Sequence, residues 1–139
     1  MVDHARTPPA VRELRRTLYW HARFLPAYVA KRNLQSILRY LDVEHEQRFD
    51  GIEPARIRAW VLRATRKPWL MRNRRCLRQG LLGTRFMLKA GHKPDLVFGV
   101  DPASLKAPSI EAHCWVELGG EPVLNDAQGT LEVYRWTSI

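Results

Sequence analysis

Two cysteines among 139 residues are too few to staple a secreted fold, and a chain of this length buries a core without disulfides. Both thiols are expected to be free, as in a reducing cytosol. No stretch approaches the roughly 18 uninterrupted apolar residues of a membrane span, so stable membrane insertion is not expected. The opening residues MVDHARTPPAVRELRR carry charges and prolines where an export signal has an apolar run. Cytoplasmic residence is therefore the expectation. There is no internal repeat and no low-complexity segment, and neither a metal nor a cofactor is expected.

Acidic residues are missing from one long region. Nine Lys or Arg residues lie between Arg56 and Arg78 with no Asp or Glu among them, within a chain of net charge +9. A basic field of this kind can bind phosphates, attract an acidic peptide, or lower the pKa of a nearby thiol. A solvated helix face would look the same.

The pattern of apolar residues changes once, near Gly91. Before it the spacing is helical, with Leu14, Leu18, His21 and Leu25 on one stripe and Leu34, Ile37, Leu38 and Leu41 on another. Pro26 is expected to separate these two helices. A third helix opens at Pro54, buries Ile57, Trp60, Val61 and Ala64 with its arginines outward, and breaks at Pro68. A fourth runs from Arg74 to Ala90, with Asn73 as N-cap and Gly91 as stop. Its wide apolar face, with Cys76, Gly80, Gly83 and Met87 on one stripe, marks a central helix against which another backbone packs closely. After Gly91 four strands are expected, at 95–100, 111–118, 122–125 and 131–136. The reading is one α+β domain over residues 1–139, helical from 10 to 91 and an antiparallel sheet from 94 to 137.

Within the second strand, side chains alternate between faces. Cys114 falls with Ala112, Val116 and Leu118 on the core side and reads as a small buried hydrophobe. His113 falls with Trp115 on the other side. Gly119-Gly120 signals a two-residue hairpin turn, and the register that follows sets His113 directly opposite Asp126. Opposed Cβ atoms lie about 5 Å apart, near enough for the carboxylate to hold the imidazole in one tautomer.

Cys76 supplies a nucleophile for this pair. In the first turn of the fourth helix its thiolate would be stabilised by free N–H groups, the helix dipole and Arg74, Arg75 and Arg78. The opposing reading is a buried core cysteine.

The segments RNRRCLRQGLL, AHCWVE and VLND, taken in order, resemble the transglutaminase-like cysteine peptidases that mature lasso peptides, a protease component also found as the C-terminal part of microcin-processing proteins. The likeness spans roughly Ile52 to Trp136. It implies a papain-like fold with a Cys76, His113 and Asp126 triad, and removal of the leader segment from a ribosomally made precursor peptide. Gln79 matches a glutamine common in that family, which makes it an oxyanion candidate beside the backbone N–H of Cys76, with a packing or capping role as the alternative. Trp115 is a candidate to shield the pair from water or to line the substrate cleft, with core packing as the alternative. Ala commonly stands where this chain has Cys114. The resemblance further implies leader recognition by a small protein in trans, and the macrolactam-forming synthetase as a further partner. Arg63 and Arg66 are the candidates for meeting that partner or the leader.

Two rival readings stay open. With an amine in place of water the same triad would make an acyltransferase. Alternatively the basic segment, with Trp60 and Trp69 interleaved, would be a nucleic-acid surface, although no known nucleic-acid motif is present and no nucleic-acid partner is expected.

Overall fold

The structure, a computed structural model, describes residues 8–30, 32–66, 75–103 and 112–138. Helix α1, Pro9–Val29, begins on a proline, whose missing N–H costs nothing in a first turn. It buries Val11, Leu14, Leu18, Ala22, Leu25 and Val29. Pro26 does not end it, contrary to the sequence expectation, because the carbonyl that a proline strands one turn back finds another donor. That carbonyl belongs to Ala22, and the guanidinium of Arg78 donates to it from Nε at 3.0 Å and Nη2 at 2.5 Å.

Helix α2, Leu34–Leu38, is capped by Asn33, whose side chain accepts the Ser36 N–H at 2.8 Å. Helix α3, Pro54–Ala64, buries Ile57, Trp60 and Val61 and leaves Arg56, Arg58 and Arg63 exposed. The expected break at Pro68 and the expected cap at Asn73 lie outside the described residues.

Helix α4, Arg75–Lys89, is the centre of the molecule, buried continuously from Arg78 to Thr84. It stops as the glycine requires. Gly91 takes φ +91°, its N–H returns to the Leu88 carbonyl and that of His92 to Met87, a pair of bonds that satisfies the helix's last carbonyls. Among the described residues no helix is long and apolar enough to cross a membrane.

Four strands, β1 Asp95–Val100, β2 Ala112–Leu118, β3 Glu121–Leu124 and β4 Leu131–Thr137, pair antiparallel in the order β3-β2-β1-β4. The sheet rests on α4 at the two glycines. A Cβ on Gly80 would lie 2.7 Å from Leu96 Cδ1, and one on Gly83 would lie 2.6 Å from Leu124 Cδ2. Side chains of α1, α3, α4 and the first three strands form one contiguous apolar core. The fold is α+β, as expected.

Gly119 and Gly120 adopt φ +59° and +85°, the two-residue turn expected of them, and Leu118 pairs with Glu121 and Glu117 with Pro122. The expected register holds no further. Pro122 has no N–H to give the ladder, and a bulge follows it that leaves Val123 unpaired and sets Val116 against Leu124. The ladder ends at that pair, short of Asp126, so the direct opposition of His113 and Asp126 is not formed.

Candidate active site

Cys76 lies in the first turn of α4, half-buried, and faces β2. The thiol and the backbone N–H of Cys114 lie near enough to its sulfur to act as hydrogen-bond donors, and His113 lies within hydrogen-bonding and Coulombic reach. Led by the Cys114 thiol, these contacts outweigh the opposing effect of burial and hold the Cys76 thiol down at about 5. Cys114 is pushed in the opposite direction, well above the ordinary thiol range, by the same hydrogen bond, by burial and by the charge on Cys76. At neutral pH the pair is one thiolate and one thiol, with the proton on Cys114.

The arginines expected to depress this thiol are occupied elsewhere. Arg78 is buried on the Ala22 carbonyl, and Arg75 donates to the carbonyls of Thr65, at 3.1 Å, and of Arg66. Arg74 lies outside the described residues. Close hydrogen-bond donors do what the diffuse basic field was expected to do, consistent with the steep fall of electrostatic effects with distance in solvent.

Cys114 is 1% exposed and faces the core, as its place in the alternation implied. The reading of it as a small buried hydrophobe is incomplete, since its thiol has the largest single effect in lowering the Cys76 thiol. The signal for this was in the sequence: Cys76 and Gly80 share a helix stripe, and that stripe meets the core-facing residues of β2.

His113 is half-buried and stacks on Trp115, centroids 6.0 Å apart and planes inclined by 26°. The shared face was expected. Trp115 itself is 3% exposed and donates from Nε1 to Glu117 at 2.7 Å, so it supports the imidazole from beneath and does not line an open cleft. Nε2 of His113 is buried and has no hydrogen-bond partner among the described residues. Asp126 is exposed, just beyond the end of β3, and no hydrogen bond joins it to His113 among the described residues.

Gln79, an oxyanion candidate from sequence, is 7% exposed and tied at both ends of its amide. Its Nε2 donates to Thr65 Oγ1 at 3.0 Å, and its Oε1 accepts from Asn125 Nδ2 at 3.0 Å. Thr65 in turn donates to the Val61 carbonyl at 2.7 Å. The glutamine is a joint between the end of α3, the nucleophile helix and the segment that carries Asp126, and Asn125 holds φ +61° there. Sequence reasoning found Gln79 but neither of its partners. Arg63 and Arg66 are exposed, at and just past the end of α3. A cleft lined by Trp20, Phe24, Tyr28, Tyr40 and Arg85 sits on the α1 side and includes none of the residues named for catalysis.

Fold and site together define an α+β domain that presents a thiolate beside an imidazole at the start of a buried helix. The chain matches the model of the transglutaminase-like superfamily over residues 10–137, and it belongs to that superfamily, which includes cysteine proteases and acyltransferases. No curated protein and no solved structure gives a significant match.

Proposed function

We propose that this protein is a cysteine peptidase that separates leader from core in a ribosomally made peptide precursor of the lasso type. The observation that carries the enzymatic part is the Cys76 sulfur, held as a thiolate in the first turn of α4 with His113 in reach. The peptide specificity draws its support from the likeness of RNRRCLRQGLL, AHCWVE and VLND to that peptidase family.

In this mechanism the Cys76 thiolate attacks the scissile carbonyl, and the backbone N–H of Cys76 meets the developing oxyanion. His113, having taken the thiol proton, gives it to the departing amine. A thioester remains, and His113 draws a proton from the water that hydrolyses it. Asp126 is the carboxylate assigned to orient the imidazole, and the buried, unpartnered Nε2 of His113 is the nitrogen left for it to hold. Gln79 positions the segment bearing Asp126 through Asn125 and takes no part in the oxyanion site. The exposed Arg63 and Arg66 offer an acidic leader, or the separate leader-binding protein that delivers it, a surface next to the nucleophile helix.

The experiment is incubation of the chain with a precursor and its leader-binding protein, read by mass spectrometry. Wild type should yield a core with a new amino terminus and a leader ending in a free carboxylate, and Cys76→Ala neither. Cleavage by Cys76→Ala would overturn the proposal. A leader ending in an amide would establish transfer to an amine and replace the peptidase reading with an acyltransferase. Asp126→Asn should lower turnover at least tenfold without moving the thermal midpoint, since the side chain is exposed. Charge reversal at Arg63 and Arg66 should weaken processing and leave the fold intact.

A further inference from the structure

We propose that Cys76 and Cys114 form a hydroperoxide-reactive dithiol, which closes to a reversible disulfide and masks the nucleophile. The Cys114 thiol helps to hold the Cys76 thiolate, and the same placement sets a second, oxidisable sulfur against the one group the reaction depends on. Both cysteines are free, one on the inner face of α4 and the other on the core-facing side of β2. The Cys114 sulfur packs against the turn of α4 that joins Cys76 to Gly80, and each thiol lies within electrostatic reach of the other. Gly80, one turn beyond Cys76, keeps the seat open: a Cβ there would come within 3.2 Å of Cys114 Sγ.

The two thiols differ in a way that orders the chemistry. Cys76 is half-buried, ionised and within reach of a small oxidant, while Cys114 is 1% exposed and protonated. The Cys76 thiolate attacks one oxygen of the hydroperoxide and breaks the O–O bond. The sulfur becomes a sulfenic acid, and the other oxygen leaves as an alkoxide that takes a proton from solvent to give an alcohol, or as hydroxide that gives water when the oxidant is hydrogen peroxide. Loss of the thiolate charge removes two of the influences that held the proton on Cys114. The Cys114 sulfur then attacks the sulfenic sulfur, its proton joins the departing hydroxide, and water leaves. Two thiols and one hydroperoxide thus give one disulfide, one alcohol and one water, a two-electron oxidation of the pair. Two equivalents of an external thiol reverse it.

The experiment treats the reduced full-length chain with hydrogen peroxide, alkylates the remaining thiols and maps the peptides by mass spectrometry. The Cys76 and Cys114 peptides should appear joined within one chain, and dithiothreitol should release both as alkylatable thiols. Cys114→Ala, with Cys114→Ser as a second variant should the first fail to fold, should instead carry Cys76 on to the sulfinic acid, which dithiothreitol does not reverse. The proposal is overturned if wild-type Cys76 reaches the sulfinic acid as fast as in these variants while Cys114 stays free, or if the linkage joins two chains. The masking of activity rests on the peptidase reading, and precursor cleavage followed in the same samples separates the two ideas. Cleavage should fall with the disulfide and return on reduction. A disulfide in a chain that never cleaves supports the dithiol and removes the peptidase, whereas cleavage without any linkage removes the dithiol alone.

Discussion

The bond between Arg78 and the Ala22 carbonyl invites a double-mutant cycle with Pro26. In Arg78→Met the carbonyl stranded by the proline loses two hydrogen bonds from a charged donor inside the core. Bonds to charged groups contribute roughly 1.5–3 kcal/mol, and an orphaned buried acceptor costs about as much. Methionine fills most of the vacated space, so a loss of about 2–3 kcal/mol is expected, large against the roughly 5–15 kcal/mol that holds a domain together. Pro26→Ala restores the missing N–H. In wild type that gain should be small, about 0.5 kcal/mol or less, because the carbonyl is already satisfied. In the Arg78→Met background it should recover about 1 kcal/mol, and this difference is the coupling between the two sites. Urea denaturation followed by circular dichroism measures all four proteins. Equal effects of Pro26→Ala in both backgrounds would refute the claim that Arg78 is there to serve the carbonyl.

Other consequences are as direct. The rate of Cys76 alkylation should climb with pH around a midpoint of about 5 and be level by neutrality, and either His113→Ala or Cys114→Ala should move that midpoint upward. The corresponding contribution to stability has the sign of a depressed acid: it is complete above the unfolded thiol's range near 9 and is lost as pH falls to about 5. An alkylation midpoint near the ordinary thiol value would sink the account of the site. Gly83→Ala gains about 1 kcal/mol in helix propensity but forces a methyl group onto Leu124, and overpacking of this kind costs about 1–3 kcal/mol, so the melting temperature should drop. His21 is lowered to about 4 by burial and by the nearby charges of Arg85 and Lys89. Its NMR titration should show a neutral ring down to that pH, and stability should decline as pH falls from 6.5 to about 4, where the unfolded chain binds the proton and the folded one does not. A midpoint at 6.5 would contradict the burial.

The helices and strands were legible because their periods differ, and the change near Gly91 marks the passage from one to the other. The glycines of α4 announced a close neighbour, and the sheet is there. Two errors share a cause, in that each read a proline by its local effect alone. By its local effect Pro26 should end a helix that Arg78, distant in sequence, keeps intact. For Pro122 the local pattern predicts a regular hairpin, whereas a bulge after it sets Val116 against Leu124 and ends the ladder there. At the site, alternation correctly divided His113 from Cys114, but alternation cannot say what a core-facing thiol will meet. Cys76 and Cys114 are brought together by the packing of a helix stripe on a strand face. Thr65 and Asn125 stayed hidden because a buried amide chooses its partners by three-dimensional position, and nothing in their local sequence marks them.

The chain of bonds through Gln79 has a polarity, and the polarity discriminates between two nearly identical side chains. Thr65 spends its only proton on Val61, so it faces Gln79 as an acceptor; Gln79 must then turn its oxygen toward residue 125, which must donate. Asparagine can do so, and aspartate cannot. In the pair Asn125-Asp126 the order is therefore not exchangeable, and deamidation of Asn125, a change of one atom that leaves shape almost untouched, would set oxygen against oxygen and unfasten the segment that carries Asp126. The site would age chemically at an amide that takes no part in its reaction.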